Sequence, residues 1–465
     1  MNTPASFPFA LAATVGATVG IAYALSPFTV WFFGATGALF WWAGRGLSVR
    51  ERRWVWGILA VAVALRVLVI ATLFITSDGR PMATFYWDPD GRLYKLRSMA
   101  IVRVWEQTPS ALWMFSGALD HGYGWSSYVQ VLAYLQFLMG RASYGIHLLN
   151  TALSLTSVVL LHRVVRPSFG PVPALLGLSV ILFWPSWFAS SVSSLRDPLF
   201  WFLLAIATAC WIFMVSSRDG WRRRAVSGVL ALGACAALDT VRPGGAVVAI
   251  AGLLLLGLAS MAVARRVTAA LLAVPLIAGA LILLGLGSSV GTRALSIAEI
   301  AAQRHVGVVL SGGETYKLLD PRFYSQRDYS VVTTTMTPIE ATRFAVRAVA
   351  SVLVFPLPWQ SRSTQQVLFI PQQVVWYLLA GLAAVGVAAG LRRDVLLTSV
   401  LTSMTLVHLA VVAGGSGNFG SMVRHRDTAF QFVVWLGALG AGSLLAALLN
   451  GRSNHPKERV SHAAD

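Results

Sequence analysis

The chain is poor in charged residues, in lysine and in cysteine. Of its 465 residues 12% are charged and 56% are apolar, whereas about a quarter of the residues in ordinary soluble domains are charged. Lysine occurs only at Lys95, Lys317 and Lys457, so arginine supplies nearly all of the net charge of +18. Cys210 and Cys235 lie in apolar runs without CxxC spacing, which indicates neither a disulfide framework nor a metal knot. These shortages exclude a soluble globular protein.

Several motifs of common enzymes are also missing. The sequence has no Walker A motif, no GxSxG elbow, no HExxH pair and no Rossmann glycine pattern. ATP-driven transport, serine hydrolysis, zinc proteolysis and dinucleotide redox chemistry therefore lose their usual sequence support.

Apolar runs near twenty residues long recur from end to end, and each is long enough to cross a bilayer. They predict an all-α polytopic membrane domain over 1–450 with about eleven to thirteen transmembrane helices, followed by a disordered cytoplasmic tail at 451–465. The N-terminus has no basic region before its first run, so no cleavable signal peptide is predicted. The twelve predicted spans are 8–25, 27–43, 54–76, 143–162, 171–188, 196–215, 223–240, 244–263, 267–287, 371–390, 395–413 and 429–449.

Arginine clusters occupy alternate connections between these runs. Placed in the cytoplasm, they hold 17 basic and 5 acidic residues, at 45–53, 162–167, 217–224, 264–266, 391–394 and in the tail. The positive-inside rule accounts for this asymmetry, so the predicted partner is the lipid bilayer and not nucleic acid. Two long segments, 77–142 and 288–370, are then extracytoplasmic. Their apolar runs 127–140 and 344–357 are predicted to be interfacial helices.

The first outer segment contains an acidic turn, WDPDGRLY, that begins at residue 87. Pro89 pushes Asp88 toward extended backbone and Gly91 permits a turn, so Asp88 and Asp90 are predicted on a rigid loop. One carboxylate could accept a proton from a hydroxyl, and the other could orient an acceptor or bind a divalent cation. The alternative is an exposed turn that caps an amphipathic helix over 92–106.

The last outer connection, GGSGNFGSMVRHRDTAF, carries Arg424, His425 and Arg426 just before the final span. Arginine forks suit phosphate oxygens, and a glycine-rich backbone can approach an anion closely. The pattern predicts a phosphate site. The alternative is a charged cap that holds the helix at the interface.

Two short outer connections carry opposite charges, Arg196 with Asp197 and Asp239 with Arg242. Ionisable groups at such depth are costly and tend to line functional cavities. The two interpretations, a functional cavity and simple mutual neutralisation, stay open here.

The acidic turn, the Arg196–Asp197 loop and the phrases VRPGG, FPLPWQ and GNFGSMVRHRDTAF together resemble bacterial membrane glycosyltransferases of the C type (GT-C). That superfamily includes protein O-mannosyltransferases and the aminoarabinose transferase of lipid A. The resemblance covers about 86–440. The chain departs from the pattern where a proline separates its two carboxylates, and where extra spans precede the acidic loop.

The resemblance implies a GT-C-like fold in the bacterial cytoplasmic membrane with an extracytoplasmic active site. The implied donor is a sugar on a polyprenyl phosphate, the acceptor is an envelope glycan, lipid or protein, and the displacement inverts the anomeric centre. Asp88 or Asp90 would be the base, and the pair would hold a divalent cation if one is used. The implied phosphate-binding residues are Arg424, His425, Arg426, Arg196 and Arg242, with Tyr94, Arg92 and Asp197 in support.

Two other functions remain open from the sequence. One is a polymerase or ligase of surface polysaccharide, which relies on arginine and histidine more than on an acidic turn. The other is a transporter of a lipid or polar solute, a class that often shows internal repeats. The enzymatic interpretation requires the acidic turn and the late arginines to meet in one extracytoplasmic pocket.

Overall fold

The computed structural model describes residues 6–77, 84–85, 88–107, 126–141, 144–216, 220–255, 290–310, 316–324, 336–357, 359 and 364–453. Within these ranges the chain is helical and contains no β-strand. The helices are α1 Ser6–Leu25, α2 Pro27–Gly44, α3 Val49–Thr76, α4 Pro89–Trp105, α5 Ser127–Met139, α6 Gly145–Phe169, α7 Pro171–Leu182, α8 Pro185–Ser191, α9 Asp197–Ser216, α10 Trp221–Val241, α11 Gly245–Leu254, α12 Val290–Leu310, α13 Pro338–Val354, α14 Thr364–Arg393, α15 Val395–Gly415 and α16 Phe419–Ser453, with a 3₁₀ turn at Pro321–Tyr324.

The chain is a multi-pass membrane protein. Seven of the described helices are long and apolar enough to cross a bilayer, and an eighth span results if the bent pair α7 and α8 counts as one. This number is below the predicted eleven to thirteen. Only ten residues of the predicted span 244–263 form the described helix α11, while the predicted span 267–287 and tail residues 454–465 lie outside the described residues.

Several helices begin where a short polar side chain caps the first turn. Ser48 accepts a hydrogen bond from the backbone N–H of Glu51 at the start of α3, and Asp394 accepts one from Leu397 at the start of α15. Such caps satisfy backbone donors that have no partner inside a helix. The boundaries of these elements therefore follow from local sequence.

The predicted span 171–188 is broken at Pro185. Helices α7 and α8 meet at a bend of 62°. The buried Arg66 of α3 supports the bend, because its guanidinium donates to the Leu182 carbonyl at 2.9 Å and to Ser191 Oγ at 2.8 Å. It also lies 4.7 Å from the centre of the Phe188 ring. The bend turns the chain back toward the segment that leads to Arg196 and Asp197.

Helices α14 and α16 pack at very short range. A methyl group at Gly386 would collide with the backbone carbonyl of Leu436, and one at Gly440 would collide with that of Leu382. Small residues let two membrane helices approach until their backbones are in contact. The pair holds α16, and with it the late arginines, against the rest of the bundle.

Three of the arginine clusters meet at one end of the bundle. Arg166, near the end of α6, pairs with Glu51 of α3 at 2.7 Å, and Arg393 of α14 donates to the Phe169 carbonyl at 2.8 Å. Arg163 donates to the Arg45 carbonyl at 2.7 Å. Helix α6 begins at Gly145, so its first residue lies about 32 Å along the helix from Arg166 at this basic end.

The described part of the segment 288–370, which the sequence predicts to be extracytoplasmic, forms a small helical unit. Helices α12 and α13 pack on α15 around a core that includes Val306, Phe323, Phe344 and Met422. Helix α13 has an exposed apolar face and does not qualify as a membrane span. It contains most of the run 344–357, and α5 contains most of the run 127–140, so both runs are helical. Their location at the membrane interface stays a prediction.

Candidate active site

The first carboxylate of the acidic turn, Asp88, is buried and caps helix α4. Its Oδ1 accepts from the Gly91 N–H at 2.8 Å, and its Oδ2 accepts from the Ser194 N–H at 2.7 Å. A side chain at position 91 would collide with this carboxylate, so glycine allows the carboxylate to stay in this position. Burial raises the pKa of Asp88 to about 6, although the two N–H bonds and nearby Lys95 oppose the rise. Asp88 thus joins the turn to the loop at Ser194.

The second carboxylate, Asp90, faces an arginine from the far end of the chain. Arg424 Nη1 lies 3.0 Å from Asp90 Oδ2, and the side chains are 26% and 43% exposed, respectively. The acidic turn and the late arginine segment are therefore in contact, as the sequence analysis requires. Asp90 is the partly exposed member of the acidic pair.

Asp197 joins two further arginines to this contact. It begins α9 with its side chain 3% exposed, and its Oδ1 accepts from Arg242 Nη2 at 2.9 Å. Its Oδ2 lies 3.9 Å from Arg424 Nε. Arg196 Nη1 donates to the Val241 carbonyl at 3.1 Å, which places this guanidinium beside the backbone that leads into Arg242. Three separate segments thus bring their charges together.

Arg196, Arg242 and Arg424 form a set that we call the guanidinium cluster. With Asp90 and Asp197 as the facing carboxylates, the five groups carry one excess positive charge. Burial and the other two guanidiniums lower the pKa of Arg242, and Asp197 offsets only part of this effect. An anion bound here would relieve the repulsion, so the cluster is electrostatically suited to a phosphate.

The remaining predicted supporting residues differ in position. Tyr94 is 3% exposed, makes an edge contact with Tyr128 at 5.4 Å, and lies 6.0 Å below the Arg196 guanidinium. Burial raises the pKa of Tyr94 to about 12, so the phenol remains protonated and serves as packing for the cluster. Arg92 is exposed on α4, and the structure does not bring it to the cluster.

The two residues that follow Arg424 on α16 differ in where their side chains lie. His425 Nε2 lies 3.4 Å from Arg424 Nη2, so it borders the cluster. Arg426 is two positions along the helix and therefore about 200° around it. Its buried guanidinium donates to the Phe355 carbonyl at 3.1 Å and to Gln373 Oε1 at 2.8 Å. The prediction that Arg426 binds phosphate is corrected: its donors hold the end of α13 to α14.

Asp239 is also separate from the cluster. It is exposed and accepts from the Gly244 N–H at 2.9 Å, so it closes the turn between α10 and α11. Its predicted partner Arg242 instead pairs with Asp197. The ion pair of Arg242 with Asp197 therefore joins the two connections to each other.

The loop at 191–195, which we call the clamped loop, contains partners that sequence reasoning missed. His147 Nδ1 lies 2.6 Å from the Val192 carbonyl, and Asn150 Nδ2 donates to the Ser193 and Leu195 carbonyls. The polar residues that hold the loop lie in the first two turns of α6. Polar side chains at i, i+3 and i+4 in an apolar run are the sequence signal that could have indicated them.

Lys95 adds a second buried polar contact beneath the acidic turn. Its Nζ lies 2.9 Å from His147 Nε2, and burial lowers the pKa of Lys95 to about 8 while Asp88 opposes the change. Since His147 Nδ1 donates to a carbonyl, its Nε2 is the acceptor for Lys95 in the neutral ring. The contact links α4 to α6 below the site.

The donor set does not fit the conditional proposal of a divalent cation between Asp88 and Asp90. Both Asp88 oxygens accept backbone N–H bonds, and Asp90 faces a guanidinium. Among the described residues no group of three His, Cys, Asp or Glu side chains could hold a metal ion.

Comparison of the chain with family models, with curated proteins and with solved structures finds no match. The likeness to GT-C glycosyltransferases rests on the motifs themselves.

Proposed function

We propose that the protein is an integral membrane glycosyltransferase that moves a sugar from a polyprenyl phosphate to a hydroxyl of an envelope glycan, lipid or protein. The observation that carries the proposal is the 3.0 Å contact between Asp90 and Arg424, two residues that are 334 positions apart. A carboxylate and a guanidinium held side by side supply a base and an anion ligand at one point.

The charge of the guanidinium cluster suits the donor. A sugar on a prenyl phosphate is a diester with one negative charge, and its departure leaves a monoester with a second charge developing on the leaving oxygen. Arg424 and Arg242 would stabilise that charge as it develops, which lowers the barrier without a general acid. Arg424 is suited to this role because its contact with Asp90 is partly exposed and exchangeable.

Asp90 would activate the acceptor. Its carboxylate takes the proton of the acceptor hydroxyl as that oxygen bonds to the anomeric carbon. The bond from the anomeric carbon to the phosphate oxygen breaks, and its electron pair leaves with the prenyl phosphate. Attack from the face opposite the leaving group inverts the anomeric centre. Asp88 does not serve as the base, because its two oxygens cap α4 and hold Ser194.

The position of the site supports an extracytoplasmic reaction. His147 lies at the start of α6, where Lys95 of α4 contacts it, and Arg166, which pairs with Glu51 of α3, lies near the other end of α6. Basic clusters stay on the cytoplasmic side of a membrane, so the guanidinium cluster would face the outside of the bacterial cytoplasmic membrane. Lipid-linked sugars are the donors expected there, since nucleotide sugars are cytoplasmic.

The test compares Asp90→Asn with Asp239→Asn in protein reconstituted into lipid nanodiscs. Both residues are exposed or partly exposed aspartates of outer connections, but only Asp90 faces the guanidinium cluster. Given a labelled prenyl-phosphate sugar and a mixture of envelope acceptors, we expect Asp90→Asn to lose about a hundredfold or more of the transfer rate. Asp239→Asn should retain it.

A full transfer rate in Asp90→Asn would show that Asp90 is not the base. Use of a prenyl diphosphate donor with Asp90 dispensable would instead identify a polysaccharide polymerase or ligase. Movement of labelled lipid across the bilayer without any sugar transfer would identify a transporter. Each outcome would overturn the proposal.

A further inference from the structure

Asn150 donates hydrogen bonds to the clamped loop, the backbone segment that leads directly to Arg196 and Asp197. It is fully buried in the second turn of α6. Its Nδ2 donates to the Ser193 carbonyl at 2.8 Å and to the Leu195 carbonyl at 2.8 Å. The two hydrogens of one amide nitrogen thus connect alternate carbonyls of the clamped loop, and they set the shape of that turn.

The geometry determines which way the amide faces. A flipped amide would place Oδ1 against two carbonyl oxygens, which cannot donate to it. The same Nδ2 also lies 3.1 Å from the oxygen of the Tyr128 hydroxyl, and that hydroxyl donates to the Ser194 carbonyl at 3.0 Å. The carbonyls of three successive loop residues therefore depend on Asn150 directly or through its neighbour.

The clamped loop ends one residue before Arg196, and Asp197 follows. Asp197 has contacts of 2.9 Å with Arg242 and 3.9 Å with Arg424. A shift of the loop would move this carboxylate relative to both guanidiniums. Misplacement by about 1 Å is enough to cost about a hundredfold in rate at a site that depends on orientation.

We propose that Asn150 is a positioning residue that sets where Asp197, and through it the guanidinium cluster, stands in the site. The inference rests on the proposed function for its effect on the reaction, but the coupling between Asn150 and Asp197 is a property of the fold alone. Asn150 touches no reacting atom.

The test is a double-mutant cycle between Asn150→Asp and Asp197→Asn. Aspartate matches asparagine in shape but cannot donate to the two carbonyls, and Asn150→Ser, which retains one donor, serves if the first variant does not fold. The matched control is Thr156→Val on the same helix, because the Thr156 hydroxyl bonds only to its own helix at Ala152. The cycle is read in the transfer rate and, without substrate, in the thermal unfolding midpoint.

We expect Asn150→Asp to reduce kcat about tenfold to a hundredfold, with Thr156→Val near wild type. In the Asp197→Asn background the same change should cost less than about threefold, because the carboxylate it positions is already altered. Hydrogen exchange should rise in the peptide that contains 192–198 and not along the rest of α6. Equal losses in both backgrounds, in rate and in unfolding midpoint, would overturn the inference. If no sugar is transferred but the midpoints are coupled, the proposed function fails and the positioning role stands.

Discussion

Binding of a prenyl phosphate should uncover the Asp90 carboxylate. In the structure Arg424 pairs with Asp90 at 3.0 Å, and the side chains are 26% and 43% exposed. Because solvent screens an ion pair that is this exposed, the pair contributes a free energy of about 1 kcal/mol. A bidentate bond between arginine and phosphate is stronger, about 2 to 3 kcal/mol. A phosphate should therefore draw Arg424 away, and the base becomes free only after the donor has bound.

The assay is carbodiimide coupling of an amine to exposed carboxyl groups, located by mass spectrometry. An ion pair of about 1 kcal/mol keeps Asp90 covered in roughly five molecules of six. Saturating prenyl phosphate should thus raise the labelling rate of Asp90 by up to about sixfold. It should also make substrate binding ordered, with the donor first.

The chain provides a matched control in a second ion pair of the same length. Arg347 and Asp320 lie 3.0 Å apart with 47% and 30% of their side chains exposed, in the helical unit of the second outer segment. Labelling of Asp320 should not respond to prenyl phosphate. If Asp90 labelling stays constant at a ligand concentration that saturates binding, Arg424 does not exchange between the two anions and the ordered mechanism is wrong.

Three further outcomes are expected. Burial raises the pKa of Asp88 to about 6 from an ordinary value near 4, so the folded protein keeps a proton that the unfolded chain has lost. Stability should fall by up to about 3 kcal/mol as pH rises from 4 to 6, and melting curves of Asp88→Asn should lack this slope. Arg426→Met should lower the free energy of unfolding by about 3 kcal/mol and leave prenyl-phosphate affinity within about twofold, as read by chemical denaturation and a binding titration. Gly386→Ala should cost about 3 kcal/mol because its methyl meets a backbone carbonyl, whereas Gly381→Ala on the same helix meets open space and should be neutral in thermal melts.

Hydrophobic periodicity and charge predicted the fold class and the arginine clusters at one end of the helix bundle. The clusters at 45–53, 162–167 and 391–394 meet because each follows or precedes an apolar run of bilayer length, which is visible in sequence. The number of membrane spans was harder to predict from the sequence. A hydropathy run does not reveal that Pro185 bends a helix by 62°, since the bend depends on the buried Arg66 that stabilises it.

The sequence identified candidate site residues because charged residues are scarce in this chain. It did not predict which way each side chain points from its helix. Ionisable residues in outer connections of an apolar chain are costly, which is why Arg196, Arg242 and Arg424 could be singled out from sequence. Arg424 and Arg426 are indistinguishable by composition, yet they lie about 200° apart on one helix. Which of them faces the guanidinium cluster depends on how α16 packs against α14. The residues in that contact are far from the acidic turn in sequence.

The acidic turn both caps a helix and presents a carboxylate to an arginine. In DPDG, Asp88 stands at the N-cap, Pro89 at the first helical position and Gly91 at the third, a pattern in which the cap carboxylate bonds back to the third N–H. That bond occupies Asp88 and directs it inward to Ser194. Asp90, one step beyond the proline, has no backbone donor to cap and lies on the side that meets Arg424. The proline between the carboxylates therefore leaves Asp88 to cap the helix and Asp90 to face Arg424. We expect that moving the acid from position 90 to position 92 would abolish the Arg424 contact while α4 keeps its cap.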